Sequence, residues 1–178
     1  MTGKDCIAMA MTYVGLNDVK ESYLSDKPDQ NATDLAKKFC VFMQAVINEI
    51  AIGYVKLVDK ANVNLDGEIL EYSDIADRIY EVISVKCNGK KVYPQKTASG
   101  LLLPKGSYEI TYAYLPLATE TDELPFHVLV SGESIAYGIA SQYFLTMGMA
   151  EEAQAFDDKF KLSLKTRKVG GNLKVYCW

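Results

Sequence analysis

Histidine is almost missing from this 178-residue chain: His127 is the only one, beside 1 Trp, 5 Pro and 4 Cys. A single imidazole excludes two-histidine metal sites within one chain, and His127, just after Pro125 at an expected helix entrance, reads as a surface or cap residue rather than a base. Cys6, Cys40, Cys87 and Cys177 are scattered, with no C-x-x-C pair and no histidine at ligand spacing, so neither zinc binding nor thioredoxin-like redox chemistry is expected. Reduced thiols acting as small hydrophobes fit this pattern. No P-loop, no G-x-G-x-x-G and no H-E-x-x-H occurs. No apolar run reaches the roughly 18 charge-free residues that a spanning helix requires. The segment Met1-Thr2-Gly3-Lys4-Asp5-Cys6 has none of the apolar core of a signal peptide, and the expected place of work is inside a cell.

What remains is 49% hydrophobic and 24% charged, the composition of one globular domain with a real core. Lys4 to Val14 reads as a short helix ended by Gly15, and Asp18 to Leu24 as a second. The polar run Ser25 to Asn31 reads as a loop. Thr33 is placed to cap a long helix from Asp34 to about Val58, on the order of 37 Å at 1.5 Å per residue. Leu35, Phe39, Phe42, Val46, Ile50 and Leu57 mark one face, with Cys40, Met43, Ile47, Tyr54 and Val58 on a second. A helix apolar on several faces needs neighbours on several sides, either other helices or other subunits.

After Asp59 the period turns from helical to alternating as far as Leu117. Ile79–Lys86 and Lys91–Gln95 flank Cys87-Asn88-Gly89-Lys90, and Asn-Gly is the preferred centre of a type I′ hairpin. Leu101–Leu103 and Tyr108–Tyr114 flank a second turn at Pro104 to Ser107. The acidic loop Ala118 to Glu123 leads through Pro125 into a helix running through Val128, Ile135, Ile139, Tyr143 and Met147, stopped at Gly148. Gly132, Ala136 and Ala140 recur every fourth residue, a smooth stripe down one side that lets another backbone approach closely, expected to be the long helix. Ala150 to Lys165 reads as an amphipathic helix with Ala153, Phe156, Phe160 and Leu164 inward.

Chemistry is thin. Gly132-Glu133-Ser134-Ile135-Ala136 nearly matches G-x-S-x-G but sits in a helix, where that motif needs a strand-to-helix elbow. The carboxylate pairs Glu151-Glu152 and Asp157-Asp158 lie on a solvated helical face. Neither catalytic residues, metal ligands nor a cofactor site is expected. Charge distribution is more informative: six basic residues and no acidic one lie from Lys159 onward, leaving 13 basic against 23 acidic before it, a net of −10. The basic end, followed by Gly170-Gly171 and the alternation of Leu173, Val175 and Cys177 with Lys174, Tyr176 and Trp178, reads as a strand able to add to a sheet edge of another subunit or of its own.

The order of elements also resembles a known family. Tyr54-Val55-Lys56-Leu57-Val58 closing the long helix, Glu71-Tyr72-Ser73-Asp74 and Tyr112-Ala113-Tyr114-Leu115-Pro116 in the insert, Ser134 to Ala140, and Tyr143 to Gly148 are similar to head-to-tail connector (adaptor, head-completion) proteins of tailed bacteriophages and prophages. So are Glu151-Glu152-Ala153, Asp157-Asp158-Lys159-Phe160 and the basic glycine-bearing tail. The resemblance implies a non-enzymatic virion protein at the head–tail interface, assembled in the bacterial host cytoplasm. It would form a ring of its own copies, dock on the portal protein, receive a tail or stopper protein, and let DNA pass without sequence-specific binding. The docking arm maps onto Arg167, Lys168, Leu173, Lys174, Val175, Tyr176 and Trp178, although related tails are richer in arginine.

The expected fold is α+β, mainly α: a helical bundle around one long central helix, with an inserted small antiparallel β unit and a C-terminal strand tail. Residues 1–60 and 125–168 form the helical body of a single domain, 61–117 the β insert and 169–178 the strand arm. A different function class is a small-molecule or peptide-binding module, with Tyr72, Tyr80, Tyr93, Tyr108, Tyr112 and Tyr114 lining an apolar pocket.

Overall fold

The computed structural model describes residues 1–126 and 130–165. It is a mixed α+β structure, with 48% of the described residues helical and 24% in strands. It separates into two compact units, one of Met1–Ile50 with the described residues from Leu117 onward, the other Ala51–Pro116.

The first unit is helical. α1 (Gly3–Tyr13) opens with a capping box in which the Asp5 amide donates to Thr2 Oγ1 (3.3 Å) and the Thr2 amide to Asp5 Oδ2 (2.8 Å). It closes at Gly15, whose φ of +79° lets the Leu16 amide turn back to the Met11 carbonyl at 2.9 Å. α2 (Asn17–Leu24) follows.

α3 (Gln30–Gly53) is displaced from its expected span at both ends. Its cap is Asp29, which accepts the Ala32 amide at 2.7 Å and is held by the Ser22 hydroxyl at 2.9 Å. Thr33, the expected cap, lies inside the first turn with its hydroxyl donating back to the Asp29 carbonyl (2.9 Å). An ionised carboxylate accepts a first-turn amide more strongly than a hydroxyl does, so the helix starts one turn early. It stops at Gly53 rather than Val58, because the Leu57 carbonyl accepts from Tyr114 and the chain enters a sheet instead. Phe39, Met43, Val46, Ile47 and Ile50 are fully or almost fully buried, and Val41 and Ile52 are its exposed large apolar residues.

α5 (Gly132–Thr146) starts later than expected, at Ser131, whose hydroxyl accepts the Ser134 amide. Val128 and His127, placed at its beginning by the sequence reading, lie outside the described residues. Gly148 at φ +73° ends it, with the Met149 amide on the Phe144 carbonyl (3.0 Å). α6 (Ala150–Lys165) has the expected span, with Ala153, Phe160 and Leu164 buried and Phe156 half-buried.

The second unit holds two antiparallel sheets. β1 (Val58–Leu65), β3 (Ile79–Cys87), β4 (Lys90–Val92) and β7 (Gly106–Tyr114) form one, in the order β1-β7-β3-β4. β2 (Ile69–Glu71), β5 (Gln95–Lys96) and β6 (Gly100–Leu102) form the other, in the order β2-β6-β5, with the short α4 (Tyr72–Ile75) between β2 and β3. The β3–β4 turn carries Asn88 at φ 49° and Gly89 at φ 76°, both in the left-handed region that a type I′ turn requires. The strands on either side of the second turn do not pair with each other, since β6 pairs with β2 and β5 while β7 pairs with β1 and β3. Pro104, which has no N–H, separates the two strands and lets them join different sheets. Leu65, Leu70, Val85, Leu101, Tyr108 and Ile110 form the core of this unit.

Candidate assembly surfaces

The arm residues Arg167, Lys168, Leu173, Lys174, Val175, Tyr176 and Trp178 lie outside the described residues. The small-residue stripe lies within them, and Gly132, Ala136 and Ala140 are all buried on α5. The stripe does not present its glycine to the long helix. A Cβ at Gly132 would collide with Met1 Sδ and lie 2.9 Å from Cys6 Sγ, so this end of α5 sits against the start of α1. The glycine facing α3 is Gly138, where a Cβ would lie 2.7 Å from Val46 Cγ1. Ser134 is buried, and its hydroxyl is 2.7 Å from that of Ser131 in a first helical turn, not at a strand-to-helix elbow.

The acidic loop is fastened to the helical unit. Gly3 and Lys4 amides donate to the Asp122 and Glu120 carbonyls, which supplies acceptors to the open first turn of α1. The Glu120 carboxylate takes the Tyr23 hydroxyl (2.9 Å) and the Cys40 thiol (3.1 Å). Burial, then this carboxylate, pushes the Cys40 thiol up to about 12 and raises the Tyr23 phenol as well. Across α1, α5 and α6, Tyr13 stacks on Tyr137 (5.1 Å), Phe144 stacks on Phe156 (5.5 Å), and Lys159 lies 4.7 Å over the Phe156 ring. The Tyr137 hydroxyl donates to Glu133 at 2.6 Å, which raises the pKa of that phenol.

In the β unit the pleat sorts side chains by polarity. Asn62, Glu109, Lys86 and Lys91 form one cross-strand row of the four-stranded sheet, flanked by the pairs Lys60–Thr111 and Asn64–Ser107 on the same face. Val63, Tyr108, Val85 and Ile110 point to the other face, toward the core. Glu109 Oε1 meets Lys86 Nζ at 3.2 Å and Lys60 Nζ at 3.8 Å, and these cations hold its carboxyl below the usual range. Lys91 stands directly opposite Lys86 and lies 5.0 Å from the ring of Tyr93, which is 81% exposed. A shallow cavity of about 420 Å³ opens beside this row, with Asn62, Lys86, Asn88, Ser107 and Glu109 among its walls.

The six tyrosines of the insert do not gather around that cavity; Tyr108 alone of them lines it. Tyr72, Tyr80 and Tyr108 donate to the backbone carbonyls of Thr97, Ala51 and Pro104, and Tyr112 and Tyr114 pack edge to face within the sheet.

A second exposed surface lies at the α5–α6 corner. Residues 145–152 are all exposed, with Leu145, Met147 and Met149 at 56, 59 and 40%. Glu151 and Glu152 follow in the first turn of α6, and among the described residues neither is paired with a cation. Sequence reading passed over both this corner and the lysine row. A usable signal was present, since Val82 to Tyr108 contains five lysines and no acidic residue.

Among the described residues no helix is long and apolar enough to cross a membrane, and no group of three or more His, Cys, Asp or Glu could hold a metal ion. No protein-family model matches the chain, and no curated protein matches it either.

Proposed function

We propose that this chain is a non-enzymatic virion structural protein, a head–tail adaptor that assembles as a ring between portal and tail and continues the DNA channel. The supporting observation is the order of elements: helices through Gly53, an antiparallel β unit to Tyr114, and two further helices leading toward a basic, alternating segment. In this reading α3 is the central helix of the body, and residues 169–178 are a strand arm that docks on the portal through Leu173, Lys174, Val175, Tyr176 and Trp178, with Arg167 and Lys168 just before it adding positive charge. The ring is made of copies of this chain, and a tail or stopper protein binds it on the side away from the portal. An acidic chain lining the channel repels phosphate and lets DNA pass without sequence-specific binding. Assembly takes place in the bacterial host cytoplasm before the protein enters the virion.

The test is truncation. Full-length chain and a chain ending at Lys168 are incubated with the portal ring encoded by the same genome and imaged by negative stain. Docked full-length rings with the truncated chain left free are expected. Equal docking by both would remove the arm from the account, and docking by neither would remove the adaptor role.

A further inference from the structure

We infer that the lysine row of the β unit, with Tyr93, binds the α5–α6 corner of a second copy of this chain; the inference rests on the ring reading and names the contact between neighbours. Lys86 and Lys91 stand directly across two strands, a pairing of like charges that costs stability unless an anion lies near. Glu109 is shared between Lys86 and Lys60, so this one carboxylate faces three ammonium groups on the same face. Tyr93 adds an 81% exposed ring beside Lys91, the kind of side chain that anchors interfaces.

The corner offers the complement. Glu151 and Glu152 supply two carboxylates without a cation among the described residues, next to exposed thioethers of the type that packs well on an aromatic ring. Pairing either surface with itself would bring lysine toward lysine or carboxylate toward carboxylate, which charge repulsion disfavours. Contact between the two different surfaces is heterologous, the type that generates a ring when its rotation closes.

Sedimentation velocity on the full chain tests this at low and high salt. Lys86→Glu/Lys91→Glu and Glu151→Lys/Glu152→Lys are each expected to weaken self-association by about tenfold or more, since each places like charges across the contact. An equimolar mixture of the two variants is expected to associate within about threefold of wild type, because each variant then offers the other a complementary surface. Recovery in the mixture also shows that both variants fold. Wild-type assembly that neither double variant weakens would overturn this contact and leave the ring reading standing. Variants that weaken assembly but do not rescue one another would also overturn it. A wild-type chain that stays monomeric at every concentration would overturn the contact, while docking on the portal ring still decides the adaptor reading.

Discussion

Gly138 has less free space than its helical position alone would require. A Cβ there meets both methyls of the buried Val46 at 2.7 and 2.8 Å, and Phe160 at 3.3 Å. Gly138→Ala gains about 1 kcal/mol of helix propensity, but overpacking a filled core costs about 1–3 kcal/mol. A net loss of about 1 kcal/mol, or roughly 2–4 °C in Tm for a chain of this size, is expected in a thermal melt. Adding Val46→Ala should cost less than the sum of the two single changes, since the second removes the obstacle to the first. An additive double mutant would show that the two residues do not press on each other. The thiols make a second residue-scale prediction. Burial pushes Cys6 and Cys40 up to about 12, so at pH 8 both stay as unreactive thiols. Mass spectrometry after iodoacetamide treatment should find both unmodified in native protein and both alkylated in urea. Rapid native labelling of Cys6 would contradict its 0% exposure.

At the scale of the element, carboxylates at helix starts and on the sheet make stability fall in acid. Asp5 and Asp29 accept backbone amides, Asp34 is held by Gln30 and Lys37, and Glu109 by Lys86 and Lys60; all four sit below their ordinary values of 3.8 for Asp and 4.5 for Glu. A folded-state pKa below the unfolded one gives stability that is complete above the unfolded value and is lost as pH falls through the folded value. Glu49 has the opposite sign, raised by burial, and one such group does not offset four. Urea midpoints should therefore hold steady from pH 7 to 5 and drop below pH 4, less steeply in Asp29→Asn. A midpoint independent of pH down to 3 would sink this account of the caps. The same caps show what was legible beforehand. Gly15, Asn88-Gly89 and Gly148 announced their breaks because left-handed backbone is written in residue type. The start of α3 was misplaced because Thr33 and Asp29 are both good caps, and Ser22, seven residues before Asp29, favours the carboxylate. The second turn was legible, but local turn chemistry at Pro104 does not encode which sheet each flanking strand joins.

For the whole molecule, hydrophobic periodicity carried the α+β division, with helices before and after an antiparallel unit. It could not separate that unit into two sheets, since each strand looks alike until its partners are known. The lysine row was hidden for the same reason: Lys86 and Lys91 are five residues apart in the chain, and only the β3–β4 register sets them face to face. Charge bias along the chain pointed instead to the segment from Lys159 onward, most of which lies outside the described residues. The most direct test of the account is the native mass of the purified full chain over a wide concentration range, with negative-stain images of any large species. The adaptor reading predicts closed rings of many copies that grow in population with concentration and dissociate in high salt. A compact dimer that resists dilution would contradict it.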